Sequence, residues 1–273
     1  MKFTKMHGLG NDYIYLNCLE EEPTDLSALA RQLSDRHFGV GGDGLICICP
    51  SERADFRMRM FNADGSEGEM CGNGIRCVGK YAYEMGLTDR TILTVETLAG
   101  VKELRLHESD GAVSAVTVDM GVPQVEPPRT ITVKGKGCTI IPVDIGNPHA
   151  VVFVSDVKVL CLSDIGPGFE NHPSFPNRTN TEFVQVLGPD RLRLRVWERG
   201  SGETLACGTG ACAAVAAAVS AGQCGREVTV ELPGGELQIV WNGEGPIYMT
   251  GPAVTVFHGE CRIETKDAKE QAR

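Results

Sequence analysis

Two short stretches of this chain each place a thiol at what reads as the mouth of a helix. Cys71-Gly-Asn-Gly leads into NGIRCVGKYAYEMG (73–86), and Cys207-Gly-Thr-Gly leads into TGACAAVAAAVSAG (209–222). At a helix N-terminus the first backbone N–H groups have no intrahelical partner and the macrodipole adds partial positive charge. A thiol in that position is expected to have its pKa lowered from about 8.5 towards roughly 3.5–7.5. The glycines of each motif, Gly72 with Gly74 and Gly208 with Gly210, let backbone amides close on an anion. Two such motifs face to face suggest a specific chemistry. One thiolate takes a proton from a stereocentre, and the other thiol returns a proton to the opposite face. Between them the two helix ends hold a carboxylate whose negative charge grows as its α-carbon loses the proton. No lysine lies in a recognisable pyridoxal context, so the thiols are expected to act without a cofactor.

The elements that must bring these thiols together are announced by their spacing. Cys71 and Cys207 lie 136 positions apart in a chain of 273 residues, which suggests a doubled architecture. FRMRMFN (56–62) falls on LRLRVWE (192–198) at the same offset, both alternating apolar residues with arginine as half-buried strands do. Gly10-Asn11 falls on Gly146-Asn147, TVETLAG (94–100) resembles TVELPGG (229–235), and VDMGVP (118–123) resembles YMTGPA (248–253). TDLSALARQLSDRHFG (24–39) reads as a further helix, with Thr24 as N-cap and Gly39 as its stop. The helix after Cys207 is apolar on nearly all sides and is expected to be buried. The fold class read from this pattern is α+β, with two pseudo-symmetric halves, each a mostly antiparallel sheet wrapped around a central helix. The halves are expected over residues 1–120 and 121–252, with 253–273 returning to the first and the polar end ETKDAKEQAR frayed and solvated.

Bulk properties narrow the class of function. A net charge of −10 with no basic block argues against nucleic-acid and anionic-membrane partners. The start, MKFTKMHGLGNDYIYL, lacks the apolar core of a signal peptide, and no run approaches a membrane span. Eleven cysteines are therefore read as free thiols of a cytoplasmic protein rather than a disulfide framework. Metal is not expected, since the pairs Cys71/Cys77 and Cys207/Cys212 lack ligand spacing and the six histidines do not cluster near them. GVGGDG (39–44) satisfies G-x-G-x-x-G, but a helix precedes it and a strand follows, the reverse of a dinucleotide site. Cys77 and Cys212 are expected to be buried structural thiols, and Cys18, Cys47, Cys49, Cys138, Cys161, Cys224 and Cys261 strand or core residues. Arg57, Arg59, Arg193 and Arg195 read as the solvated faces of two strands.

KMHGLGNDY (5–13), FNADGSEGEMCGNGIRC (61–77), GNPHAV (146–151), RTNTEF (178–183) and WERGSGETLACGTGACA (197–213) together closely resemble the diaminopimelate epimerase family. The motifs span nearly the whole chain and both halves. The resemblance implies a cofactor-independent enzyme that interconverts LL- and meso-diaminopimelate, with Cys71 and Cys207 as its two acid–base residues. It implies that the backbone at Gly72-Asn73 and Gly208-Thr209 cradles the reacting carboxylate, and that Glu198, with the main chain at Arg199, meets the reacting amino group. Asn62, Asn147, Asn180 and the Arg199 side chain match contacts to the distal end of the substrate. Asn11 and His149 also lie in the family's site motifs, His149 in a supporting place. Some members carry a glutamine where this chain has Gly44, so no side-chain role is assigned there. The expected partners are the small-molecule substrate and a second copy in a homodimer. The rival readings are a two-cysteine racemase of the proline racemase type, which typically has histidine where this chain has Asn73, and a metabolite-binding relative without turnover.

Overall fold

The structure is a computed structural model that describes residues 1–262. Its elements run through one sequence twice. The first pass is β1 (Lys2–Gly8), β2 (Asn11–Asn17), α1 (Leu26–Ser34), β3 (Gly44–Cys49), β4 (Phe56–Asn62), β5 (Glu67–Gly68), α2 (Gly72–Glu84), β6 (Ile92–Thr97), β7 (Gly100–Ser109) and β8 (Ala112–Asp119). Two short strands, β9 (Gln124–Val125) and β10 (Arg129–Val133), lead into the second. That pass is β11 (Lys136–Asp144), β12 (Pro148–Phe153), α3 (Leu162–Glu170), β13 (Asn180–Gly188), β14 (Arg191–Glu198), β15 (Gly202–Thr204), α4 (Gly208–Ser220), β16 (Glu227–Leu232), β17 (Gly235–Val240) and β18 (Tyr248–Pro252). A last strand, β19 (Val254–Glu260), follows.

The pairings repeat as the elements do. β2–β3 and β4–β6 are parallel in the first pass, β12–β13 and β14–β16 in the second, and the other strand pairs are antiparallel. The two passes join where β8 pairs with β18, from Asp119 opposite Tyr248 to Ala115 opposite Pro252. β19 then crosses back to pair with β1, Lys2 opposite Glu260. The chain after the second pass thus returns to the first along Val254–Glu260. Residues 263–273 of the expected 253–273 tail, including the whole of its polar end, lie outside the described residues.

Each central helix is buried for a reason visible in its residues. α4 carries only small and apolar side chains, and residues from Gly210 to Ala218 are buried around its whole circumference. α2 puts Ile75, Cys77, Val78 and Ala82 into the same continuous core, which runs through both halves from Met6 to Met249. α1 and α3 instead cover outer faces of the sheet, each with its own smaller cluster: Leu26, Leu29 and Leu33 against β2 and β3, Leu162 and Phe169 against β12 and β13. β3 is consequently buried along its entire length, because both of its faces are covered. α1 is shorter than its sequence pattern suggests. Asp25, not Thr24, is its N-cap, accepting from the Ala28 N–H at 2.9 Å. It ends at Ser34 rather than Gly39, because the Asp35 carboxylate takes the His37 and Phe38 N–H groups at 2.8 Å each and turns the chain away.

Candidate active site

Cys71 and Cys207 are the N-caps of α2 and α4, with near-identical backbone angles of φ −126°, ψ 113° and φ −124°, ψ 113°. Each sulfur accepts from the N–H three residues on, Gly74 at 3.2 Å and Gly210 at 3.4 Å. The two helix ends meet tip to tip: a Cβ on Gly72 would lie 3.6 Å from the Gly208 Cα. A Cβ on Gly208 would lie 2.9 Å from the Met249 sulfur, so a side chain there would force Met249 to move. The tips open into one cleft of about 1370 Å³ that runs between the two halves.

Asn11, Asn62, Gly72, Asn73, Asn147, Glu198, Arg199, Gly208 and Thr209 all line this cleft together with the two cysteines. Asn11 and Asn147 are equivalent by the 136-residue offset but stand in different relations to their thiols. Cys71 Sγ donates to Asn11 Oδ1 at 3.2 Å, and the Asn11 amide is anchored by donating to Asp43 at 2.8 Å. Asn147 donates to Thr209 Oγ1 at 3.4 Å, which lies 3.5 Å from Cys207 Sγ. Asn73 reaches across to the second half and donates to the Ala206 carbonyl at 3.0 Å. Asn180 and His149 stand behind the cleft wall, both buried. Asn180 accepts the Arg199 N–H at 2.9 Å and donates to the Pro148 carbonyl at 3.1 Å, so its amide holds the loop that carries Arg199.

The lowered thiol pKa expected from the helix ends is not what the surroundings produce. Burial pushes Cys71 up, and the N–H groups of Gly74 and Asn73 oppose that without winning. Cys207 is pushed further up, by burial first and then by the carboxylates of Glu198 and Glu182. The helix-end field is present but the desolvation of an anion in a closed interior exceeds it. Glu198 is itself raised by burial, against hydrogen bonds from Thr204 and Cys207 that favour its charged form.

Three residues that sequence reasoning passed over belong to the site. Tyr13 lines the cleft beside Cys71 and is the offset partner of His149, a correspondence the 136-residue spacing already contained. Its ring lies opposite Gly44 in the β2–β3 ladder, and a Cβ at Gly44 would come within 2.8 Å of that ring and collide with the Phe61 carbonyl. A side chain at position 44 would thus meet the Phe61 backbone first and the Tyr13 ring second. Thr204 hydrogen-bonds the Glu198 carboxylate. Glu182 lies fully buried against His149, 2.7 Å from its Nδ1.

All eleven cysteines are free thiols. Cys77 and Cys212 are buried as expected, but Cys161 is exposed at the N-cap of α3 rather than in a strand or the core. The strand arginines are less solvated than their alternation suggests, since Arg59 and Arg195 each grip a glutamate in bidentate fashion. Among the described residues no group of three or more His, Cys, Asp or Glu side chains is arranged to hold a metal ion. No described helix is long and apolar enough to cross a membrane.

Comparison with known proteins places these features in a context. The family model described as diaminopimelate epimerase matches residues 3–126 and 141–256, one segment in each half. A protein named diaminopimelate epimerase from Acetivibrio thermocellus is 55% identical over 277 aligned positions, covering 96% of this chain and 99% of that relative. Another of that name from Desulfovibrio desulfuricans is 52% identical, with the same coverage. Among solved structures, a phenazine biosynthesis protein of the PhzF family from Bacillus anthracis superposes with a TM-score of 0.76 at 19% identity, covering 96% of this chain and 99% of that one. A probable proline racemase from Agrobacterium radiobacter superposes at 0.74 with 17% identity, covering 97% and 94%. These two share the fold.

Proposed function

Because this chain belongs to the diaminopimelate epimerase family, we propose that it interconverts LL- and meso-diaminopimelate, using Cys71 and Cys207 as paired acid and base and no cofactor. The observation that carries the proposal is the meeting of two cysteine-capped helix ends at one cleft. The reacting carboxylate binds between the ends, where the first-turn N–H groups of Gly72-Asn73 and Gly208-Thr209 have no intrahelical carbonyl to bond. One thiolate forms an S–H bond with the α-proton, and the C–H electron pair passes into the carboxylate. The helix ends stabilise that growing charge more strongly than they stabilise the ground state. The second thiol then donates its proton to the far face, leaving the pair with its one negative charge on the other sulfur. Glu198, with the main chain of Arg199, meets the reacting ammonium, while Asn62, Asn147 and the Arg199 side chain meet the distal amino acid. Asn180 serves that end by fixing the Arg199 backbone.

The test is incubation of reduced protein with LL-diaminopimelate in D2O without added cofactor, followed by NMR of the α-protons. Deuterium at one α-carbon together with the meso isomer is the expected result, and Cys71→Ala and Cys207→Ala each abolish interconversion. Exchange into proline instead would favour the racemase reading, and no exchange with any amino acid would favour the metabolite-binding one.

A further inference from the structure

Behind the Cys207 side of the cleft runs a hydrogen-bonded chain built differently from the Asp43–Asn11 pair behind Cys71. Glu182 Oε1 lies 2.7 Å from His149 Nδ1, and His149 Nε2 lies 3.0 Å from Asn147 Oδ1. Asn147 Nδ2 donates to Thr209, which borders Cys207. The Glu182 and His149 side chains are both 0% exposed, and Glu182 Oε2 has no hydrogen-bond partner. In the first half the equivalent positions hold Ile46 and Tyr13, so the fold itself does not call for a buried carboxylate there. The backbone has made room for it: a Cβ on Gly210 would come within 2.8 Å of Glu182 Oε1, whereas the same opening at Gly74 is filled by the Ile46 side chain. A buried carboxylate is costly unless it is paired.

Both ring nitrogens of His149 therefore face acceptors, a carboxylate oxygen and an amide oxygen. A ring that donates from both nitrogens satisfies both and neutralises Glu182. We propose that Glu182 is a positioning residue that holds His149 protonated on both nitrogens and thereby aims the Asn147 amide Nδ2 at the substrate cleft and Thr209. The groups facing the ring are Glu182 from β13, Asn147 from the turn before β12, and Glu198 from β14, with Cys207 at the tip of α4 beyond. In the first half Asp43 performs the corresponding anchoring directly and in the opposite sense, turning the Asn11 carbonyl, not its NH2, to the thiol. The two equivalent asparagines are thus held in opposite senses, Asn11 with its carbonyl on Cys71 and Asn147 with its NH2 on Thr209.

The proposal rests on the epimerase reading of the cleft, and its test separates the two. Protein labelled with 15N-histidine, with His149 assigned by the loss of its resonances in His149→Gln, should show both ring nitrogens of His149 protonated at neutral pH in the absence of substrate. In Glu182→Gln the ring should become a neutral tautomer. kcat/KM for diaminopimelate should fall about tenfold or more, as for one lost charge-assisted hydrogen bond, with much of the change in KM because Asn147 contacts the distal group. A neutral His149 ring in the unmutated protein overturns the proposal even if Glu182→Gln fails to fold. Unchanged kinetic constants in a folded Glu182→Gln overturn it as well. Absence of α-proton exchange in the unmutated protein would sink the epimerase reading while leaving the ring assignment to stand or fall on the NMR.

Discussion

Cys71 and Cys207 share one backbone setting and differ in what surrounds it. Cys71 is half-buried between Asn11, Tyr13 and its own helix end, and Cys207 is buried beside two carboxylates. Both thiols are raised, by burial above all, and this fixes the sign of the pH dependence. A working pair needs one thiolate and one thiol, so kcat/KM falls where both are protonated and again where both are ionised. Raised pKa values move that window to the alkaline side of an ordinary thiol, whose pKa is about 8.5. We expect kcat/KM for diaminopimelate still to be climbing from about pH 7 to 8.5, the span just below that reference value. A plateau already reached below neutrality would show that the helix ends dominate after all. The identity of these residues was legible because thiols and glycines recur at a fixed offset. Their pKa direction was not legible, because a local motif supplies the helix-end field whereas desolvation comes from packing contributed by the whole fold. Glu182 was hidden for a related reason: its offset partner is Ile46, so the duplication gave no hint of a carboxylate.

The helix caps show the same contrast at the next scale. α1 and α3 are equivalent elements, and their caps Asp25 and Cys161 are 136 positions apart, yet only Asp25 makes a side-chain cap bond. Cys161 is exposed and leaves the first N–H groups of α3 without a side-chain acceptor. Cys161→Asp should therefore transplant the cap of α1 and stabilise the protein by about 1 kcal/mol. For a chain of this size that corresponds to a rise in Tm of roughly 2–4 °C, measurable by calorimetry. A Tm unchanged or lowered would mean that the start of α3 departs from the geometry of α1. Duplicated ion pairs act on the loops that precede the catalytic helices. Arg59 holds Glu67 through its Nε at 2.8 Å, and its counterpart Arg195 holds Glu203 through its Nε at 2.7 Å, each fastening a short hairpin strand before a cysteine. Alternation in FRMRMFN and LRLRVWE correctly marked strands, but partners eight residues downstream cannot be read from alternation. Helix boundaries failed for a comparable reason, since Asp35 ends α1 by hydrogen-bonding the backbone beyond it and not by breaking a hydrophobic period.

Across the whole molecule the two halves are repeats without being independent. Their core is one continuous cluster, and β19 closes the edge of β1 only after the second half has been completed. At the seam Arg76 of α2 is fully buried, and its guanidinium donates to the Pro252 carbonyl at 3.1 Å, the Gly72 carbonyl at 3.0 Å and Asn73 Oδ1 at 3.0 Å. Asn73 in turn depends on the Ala206 carbonyl of the second half. We propose the division between residues 120 and 121 as the boundary of the repeats, but not as a boundary of stability. Cutting there exposes the β8 edge, uncovers the apolar face of α2 and strips Arg76 of its Pro252 partner, each of which disfavours a folded fragment. A fragment of residues 1–120 should accordingly show a collapsed amide proton spectrum and no cooperative thermal transition. Adding the fragment 121–273 should restore spectral dispersion, because β8–β18 and β1–β19 can then form between chains. Dispersed amide signals from 1–120 alone would establish two autonomous domains. The seam would then be a docking surface whose separation could open the cleft, whereas co-dependence of the fragments ties closure of the site around its carboxylate to the integrity of a single core.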